Sequence, residues 1–353
     1  METDLLLAVV MCVTALIAAW WFHLLLKWSS GGHRRRRYGP VFKTNLVGKD
    51  MIVSLELNSY VLKQDNRAFQ IWYPESLKRI LGAVLEVTSS ESLHKRTRTM
   101  VLRVFGPENL RLVLLRDVQG AARSNLSSVT AKLLINYDAS TSSAGELWKH
   151  YDAFTNGLMS FPVNIPGTAF YKCLKGRKNI MEALKHMLDE RKEAAERRET
   201  MDFLDLVVDE LKEKPVLDEN FCLDVLFGLL FASIHTTSTA LTAALKFLTD
   251  NPKALQELQK GRCQSEITWE EYKSMKFTSN DISEPIGGSK DFLVFGLGLR
   301  SCLGADFAKL QIATFLHCLV TNYRWEVVSG GDMVLSPVLL FPNGFHVKLI
   351  EKT

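Results

Sequence analysis

Paired cysteines are what this chain of 353 residues most plainly lacks. Its six cysteines, Cys12, Cys173, Cys222, Cys263, Cys302 and Cys318, are scattered, with no CxxC and no HxxxH grouping. That spacing does not point to a zinc site or a disulfide framework, and reduced thiols in a cytosol-facing body are the expectation. Excess charge is nearly absent as well. Of the formal net charge of +4, residues 1–37 (Glu2, Asp4, Lys27 and Arg34 to Arg37) account for +3, so the body is close to neutral. A general affinity for nucleic acid is therefore excluded. No internal repeat or low-complexity tract occurs either. What is present is 47% hydrophobic content in a chain long enough for one large domain or two smaller ones, and thus for burying a cofactor.

The first hydrophobic run is uninterrupted. Residues 5–22 hold no charge and only Thr14 as a polar side chain, and Leu24, Leu25 and Leu26 follow before Lys27. A bilayer-spanning helix needs about 20 apolar residues, which this segment supplies. A cleaved signal peptide would start with positive charge and end at small residues. Here Glu2 and Asp4 lead, and Trp20-Trp21 follow Ala18-Ala19, which favours a retained anchor over residues 1–28. Acidic residues before the span and basic ones after it place the body, residues 38–353, on the cytosolic side of the endoplasmic reticulum membrane as a single-pass protein. The basic linker, residues 29–37, suits an anionic face of the lipid bilayer; a solvated tether is the alternative, and both can hold.

The body is expected to be mainly α with small β-sheets. Val41 to Leu46, Gly48-Lys49-Asp50 and Met51 to Leu55 read as a hairpin. Near the C-terminus, Pro342-Asn343-Gly344 predicts a tight turn joining residues 338–341 to the alternating run 345–350. Dense mixed charge over residues 181–198 reads as a solvated helix face. The longest helix is expected over 218–250, capped by Asp218 and stopped by Asn251-Pro252. Its middle, residues 225–232, is apolar all round, which suits either a membrane or a protein core. The polar continuation Ser233-Ile234-His235-Thr236-Thr237-Ser238 selects the core, with the polar patch facing a cavity, a ligand or buried water.

The stretch with the most chemical content is Phe295-Gly296-Leu297-Gly298-Leu299-Arg300-Ser301-Cys302-Leu303-Gly304. It matches F-x-x-G-x-R-x-C-x-G, and a chance match in such a chain is on the order of one in ten thousand, given how rarely Gly and Cys are used. A cysteine that ligates a metal must be held as the thiolate, which hydrogen bonds and a following helix N-terminus stabilise. The remaining alternative is a buried, inert cysteine in a glycine-rich turn.

On this motif the chain resembles the cytochromes P450. Cys302 then implies the axial ligand of heme b iron, within a loop spanning 295–304. Gly298 and Gly304 imply close backbone approach to the macrocycle, Arg300 a propionate contact, and Phe295 a ring beside the sulfur. An axial thiolate favours O–O cleavage, which separates such oxygenases from histidine-ligated oxygen carriers. Residues 232–237, Ala-Ser-Ile-His-Thr-Thr, are similar to the family's central-helix motif, in which an acid and a threonine steer protons. Thr236 falls on the threonine, whereas His235 replaces the acid, so His235 reads equally as a proton relay and as a hydrogen-bonded core histidine. His94 and Arg98 align with a propionate-holding pair of the plant sterol-oxidising branch; on their own they would read as a surface pair. Arg37 to Phe42, Phe161 to Thr168, and Phe341 to Phe345 resemble the plant enzymes of that branch, which oxidise brassinosteroids and triterpenoids.

The resemblance has one large break. Family members carry an E-x-x-R helix between the central helix and the cysteine loop, and no such motif fits between Thr268 and Lys290. The literal instance Glu108-Asn109-Leu110-Arg111 precedes the central helix, and Ser29-Ser30-Gly31-Gly32 stands where a proline-rich hinge is expected. The resemblance implies a monooxygenase of a sterol-like or triterpenoid substrate, using O2 and electrons from NADPH through NADPH–cytochrome P450 reductase. The break implies an alternative, a non-catalytic, membrane-anchored heme-binding pseudoenzyme or truncated splice product. A helical anchored protein without heme would require the cysteine loop to be accidental.

Overall fold

Strand-like runs at both ends and helical periodicity between them are realised in a computed structural model. It describes residues 41–46, 49–54, 58–64, 68–111, 115–122, 134–135, 144–158, 160–194, 202–212, 217–260, 267–274, 294–335 and 339–352. The anchor, the linker, most of the stretch between Thr268 and Lys290, and part of the mixed-charge run at 195–201 lie outside the described residues.

Strands β1 (Val41–Leu46) and β2 (Lys49–Ser54) pair antiparallel with Val41 opposite Ser54, as the sequence predicts. Helices follow: α1 (Asn58–Lys63), α2 (Glu75–Leu81), α3 (Val84–Ser89), α4 (Glu91–Phe105), α5 (Leu115–Ala122), α6 (Ala144–Gly157), α7 (Ala169–Glu193), α8 (Phe203–Lys212), α9 (Glu219–Asp250), α10 (Pro252–Gln259), α11 (Trp269–Ser274) and α12 (Ala305–Asn322). Strands β3 (Tyr323–Gly330), β4 (Val334–Leu335), β5 (Leu339–Leu340) and β6 (Phe345–Glu351) close the chain.

The C-terminal pairing differs from the sequence expectation. A turn does form at Pro342-Asn343-Gly344, with the Gly344 amide donating to the Phe341 carbonyl at 2.9 Å. The strands on either side of it, however, do not pair with each other. β6 pairs with β3, Tyr323 opposite Glu351, and the two-residue β5 pairs with β4. An eight-residue partner satisfies far more of the β6 backbone than a two-residue one can, and that non-local gain outweighs the local turn.

Helix α9 runs through the core. Asp218 caps it, its Oδ1 accepting from the Phe221 amide at 2.7 Å, and the helix continues for 32 residues, about 48 Å. It is long and apolar enough to cross a membrane, with a mean hydropathy of 1.5 in its most apolar window, but half of that window is buried in protein. Phe227 and Leu230 are fully enclosed, and Phe154 of α6 meets the Phe227 ring edge-on at 4.9 Å. Helix α7 turns Ile180, Leu184 and Leu188 inward at helical spacing; its charges do not all face solvent, since Arg177 pairs with Asp224 and the nearly buried Arg191 pairs with Asp202 and Asp205. A second cluster joins Leu241 and Leu248 of α9 to Ile312, Leu316 and Val320 of α12. There Trp325 of β3 donates its Nε1 proton to Thr249 Oγ1 at 2.9 Å.

One polar clasp ties α9 to the α2–α3 corner. Asp224 Oδ2 accepts from the Ala83 amide at 2.8 Å while Oδ1 accepts from Arg177 of α7. Gly82, at φ +60°, makes room: a Cβ there would stand 2.4 Å from Asp224 Oδ2. Asp224→Asn keeps the shape but removes the charge from both bonds. It is expected to lower the denaturation free energy by about 2 kcal/mol, read as a shifted midpoint at constant slope.

Candidate active site

Loop 294–304 closes on itself before α12 begins. The Cys302 amide donates to the Phe295 carbonyl at 2.8 Å, and the Ser301 amide donates to the Gly298 carbonyl at 3.1 Å across a single 3-10 turn, Gly298–Arg300. Gly296 and Gly298 take φ values of +70° and +71°, a region L side chains avoid. A Cβ on Gly298 would also stand 3.0 Å from the Leu62 carbonyl of α1. The loop ends at Gly304, where α12 starts, so the free amides of the first helical turn follow closely behind Cys302.

Cys302 is exposed, whereas Cys173, Cys222 and Cys318 are buried. Desolvation pushes the Cys173 and Cys222 thiols up to about 12, although the charge on Arg177 opposes it at Cys173. Such thiols are inert. Reading Cys302 as another buried, inert cysteine therefore fails on its exposure.

Two side chains of α4 reach the loop. His94 Nε2 donates to the Leu299 carbonyl at 2.8 Å, and Arg98 Nη1 donates to the Ser301 carbonyl at 3.1 Å. Ser90 caps α4 from one end. At the other end Phe105 packs on Phe307 of α12 with ring centroids 4.9 Å apart. The helix carrying His94 and Arg98 is thus fixed to the helix that follows the cysteine.

The residues present fit a heme. The donor set joins an exposed thiol to cationic and imidazole groups suited to carboxylates. His94 Nδ1 is buried with no hydrogen-bond partner, an atom positioned for one more polar group. No described protein atom beyond its chain neighbours stands within 4 Å of where a Cβ on Gly304 would point, which leaves room for a flat face at the start of α12. Arg300 and Phe295 are half-buried in the same loop.

The α9 motif stands apart from this cluster. Among the described residues, neither Thr236 nor His235 bonds to the loop. Thr236 is exposed, its hydroxyl donating to the Ala232 carbonyl one turn back, and Ala232, Thr236 and Ala240 form an exposed line of small side chains. His235 is half-buried and stacks on Phe231 at 5.8 Å. Burial holds its imidazole below the usual range, an effect the Asp152 carboxylate of α6 partly offsets. The folded chain thus binds this proton more weakly than the unfolded chain does. Stability is expected to fall as pH drops below the unfolded value of about 6.5, and His235→Gln should flatten that dependence, as read by denaturation midpoints across the range.

Three contributors escaped the sequence reading. Lys309, in the second turn of α12, places its ammonium 5.4 Å from the Phe295 ring centroid. The Leu62 carbonyl packed against Gly298 and the Asp152 charge acting on His235 carry no local signal.

Comparison with known proteins agrees with this geometry. The family model described as Cytochrome P450 matches residues 134–286 and 270–347. "Cytochrome P450 87A3" of Oryza sativa subsp. japonica is 37% identical over 409 residues, covering 90% of this chain and 79% of that protein. "Steroid (22S)-hydroxylase" of Oryza sativa subsp. indica is 28% identical, covering 89% and 81%. "Cucurbitadienol 11-hydroxylase" of Siraitia grosvenorii is 30% identical, covering 90% and 86%. Each of the alignments to the two Oryza proteins runs over 409 residues, more than the 353 of this chain, so both relatives carry internal residues that it lacks. Among solved structures, "Retinoic acid bound cyanobacterial CYP120A1" superposes with a TM-score of 0.76 at 20% identity, over 91% of this chain and 94% of that one, which shows a shared fold.

Proposed function

The chain belongs to the cytochrome P450 family of monooxygenases, and from that premise we propose that it hydroxylates a sterol-like or triterpenoid substrate with O2 and NADPH-derived electrons. It does so as a single-pass protein of the endoplasmic reticulum membrane, anchored by residues 1–28 with its heme domain in the cytosol. NADPH–cytochrome P450 reductase supplies the electrons. The observation that carries the reading is Cys302, an exposed thiol on a hydrogen-bond-closed loop at the start of a helix. The hydroxylases of steroids and of cucurbitadienol among its relatives support the substrate class.

Heme b, bound through Cys302, would supply the oxygen-activating chemistry, to which a thiolate ligand would contribute electron density. The hydrogen-bonded loop places Cys302 just before the first turn of α12, whose free amides point toward that end of the loop. Arg300, Arg98 and His94 Nδ1 would hold the propionates. The Phe295 ring, in the same loop as Cys302, lies 5.4 Å from the Lys309 ammonium. Thr236 Oγ1 holds a proton on the open line of α9, and the neutral imidazole of His235 passes one along.

The test is reconstitution with reductase and candidate sterols or triterpenoids. NADPH consumption that depends on substrate and yields hydroxylated product is expected. A second reading is favoured by the internal residues that both Oryza relatives possess and this chain lacks: a heme-binding pseudoenzyme or splice product. Heme incorporation with no substrate-dependent NADPH consumption would select it.

A further inference from the structure

The His94 and Arg98 side chains end on backbone carbonyls of the cysteine loop itself, those of Leu299 and Ser301, more than 200 residues away in sequence. We propose that these two residues are positioning residues for the Cys302 thiolate: they clamp the loop from α4 and set the direction of the sulfur, in addition to any bond to a propionate. The inference rests on the reading of Cys302 as the iron ligand, and adds a role that reading does not require.

The geometry is specific. The two clamped carbonyls belong to residues 299 and 301, the last part of the loop before the sulfur, and they alternate with the two inner hydrogen bonds from the Ser301 and Cys302 amides. Leu299 lies within the 3-10 turn and Ser301 immediately before the cysteine. Moving either carbonyl would therefore turn the Cys302 backbone. Gly298 of the loop also packs near the Leu62 carbonyl, so α1 as well as α4 touches the loop. The clamp has a rigid base, because α4 is locked to α12 through Phe105 and Phe307, both buried. His94 uses Nε2 for the clamp, which leaves Nδ1 for another group, so one imidazole can serve both functions. The absence of an E-x-x-R motif between Thr268 and Lys290 gives this clamp added weight. Loop order here comes from α4, which this chain retains.

The experiment compares the full chain with His94→Phe and His94→Gln, and with Arg98→Met, by hydrogen exchange of the peptide over residues 294–304 and by the Soret band of the reduced carbonyl adduct. Loss of a clamp bond should speed exchange of the Ser301 and Cys302 amides by about tenfold, the equivalent of one net hydrogen bond. The red-shifted band should weaken in favour of a less shifted one. His94→Gln keeps a donor near the Nε2 position and should restore slow exchange and the band, which a general loss of packing would not allow. The proposal is overturned if exchange stays unchanged in all three variants while heme content alone falls, or if His94→Gln behaves like His94→Phe. Should His94→Phe not fold, His94→Gln decides alone: slow exchange supports the clamp and fast exchange rejects it. If no variant or parent shows a red-shifted band, the thiolate assignment fails, and the exchange measurement still reports on the clamp.

Discussion

Cys302→Ala is expected to abolish the red-shifted Soret band of the reduced carbonyl adduct and with it all hydroxylation, while leaving the fold in place. The reasoning separates ligation from packing. Cys302 is exposed and belongs to neither hydrophobic cluster, so removing its sulfur deletes little buried surface. A surface change of this kind shifts stability by no more than about 0.5 kcal/mol in the heme-free chain. The iron, in contrast, would lose its sulfur ligand, and binding linked to folding would then contribute less to the stability of the loaded protein. Cys173→Ala is the matched control. Its thiol is fully buried and held at about 12 by desolvation, so it should lower stability yet leave the band untouched. The assignment of Cys302 fails if the Ala variant keeps the band, or if Cys173→Ala removes it from a folded chain.

The contrast between these two cysteines shows which features the sequence carried. The cysteine loop was readable because its requirements are local: glycines at positive φ, a thiol, and a helix start within ten residues. Helix α9 was readable for the same reason, with its cap at Asp218 and its stop at Asn251-Pro252. The pairing of β6 with β3 was not, because the choice of partner depends on strand length elsewhere in the chain, whereas the turn at Asn343-Gly344 is the same under either pairing. His94 and Arg98 were legible as a pair one helical turn apart. Their carbonyl partners were hidden, since every residue carries a carbonyl and none advertises which one will be used. His235 and Thr236 were expected on the central helix by their position in the sequence. The structure adds that His235 is stacked on Phe231 and that Thr236 faces outward.

Phe227→Ala is expected to cost about 4 kcal/mol, at the upper end for a single core substitution. The ring is fully buried in the N-terminal third of α9 and is packed against three side chains. Tyr151 stacks on it at 5.7 Å, Phe154 meets its edge at 4.9 Å, and the Arg177 guanidinium lies 5.5 Å from its centroid. These partners belong to α6 and α7, which are tied to each other, so they cannot collapse freely into the space that Ala would leave. The cavity therefore persists, and its cost adds to the lost transfer free energy of the ring. Since domains are stable by only about 5–15 kcal/mol, this one change should remove a large share of the total. The midpoint of denaturation is expected to fall at constant slope, because the unfolded chain is little altered. Phe227→Leu refills most of the volume and should cost no more than about 1.5 kcal/mol. Thr236 and His235 sit on the same helix about two turns beyond Phe227. The Ala variant should therefore also lower product formed per NADPH consumed, and by more than Phe227→Leu does. A loss under about 1 kcal/mol for Phe227→Ala would show that α9 is not held through this ring, and would detach the position of Thr236 from the core that the fold assigns to it.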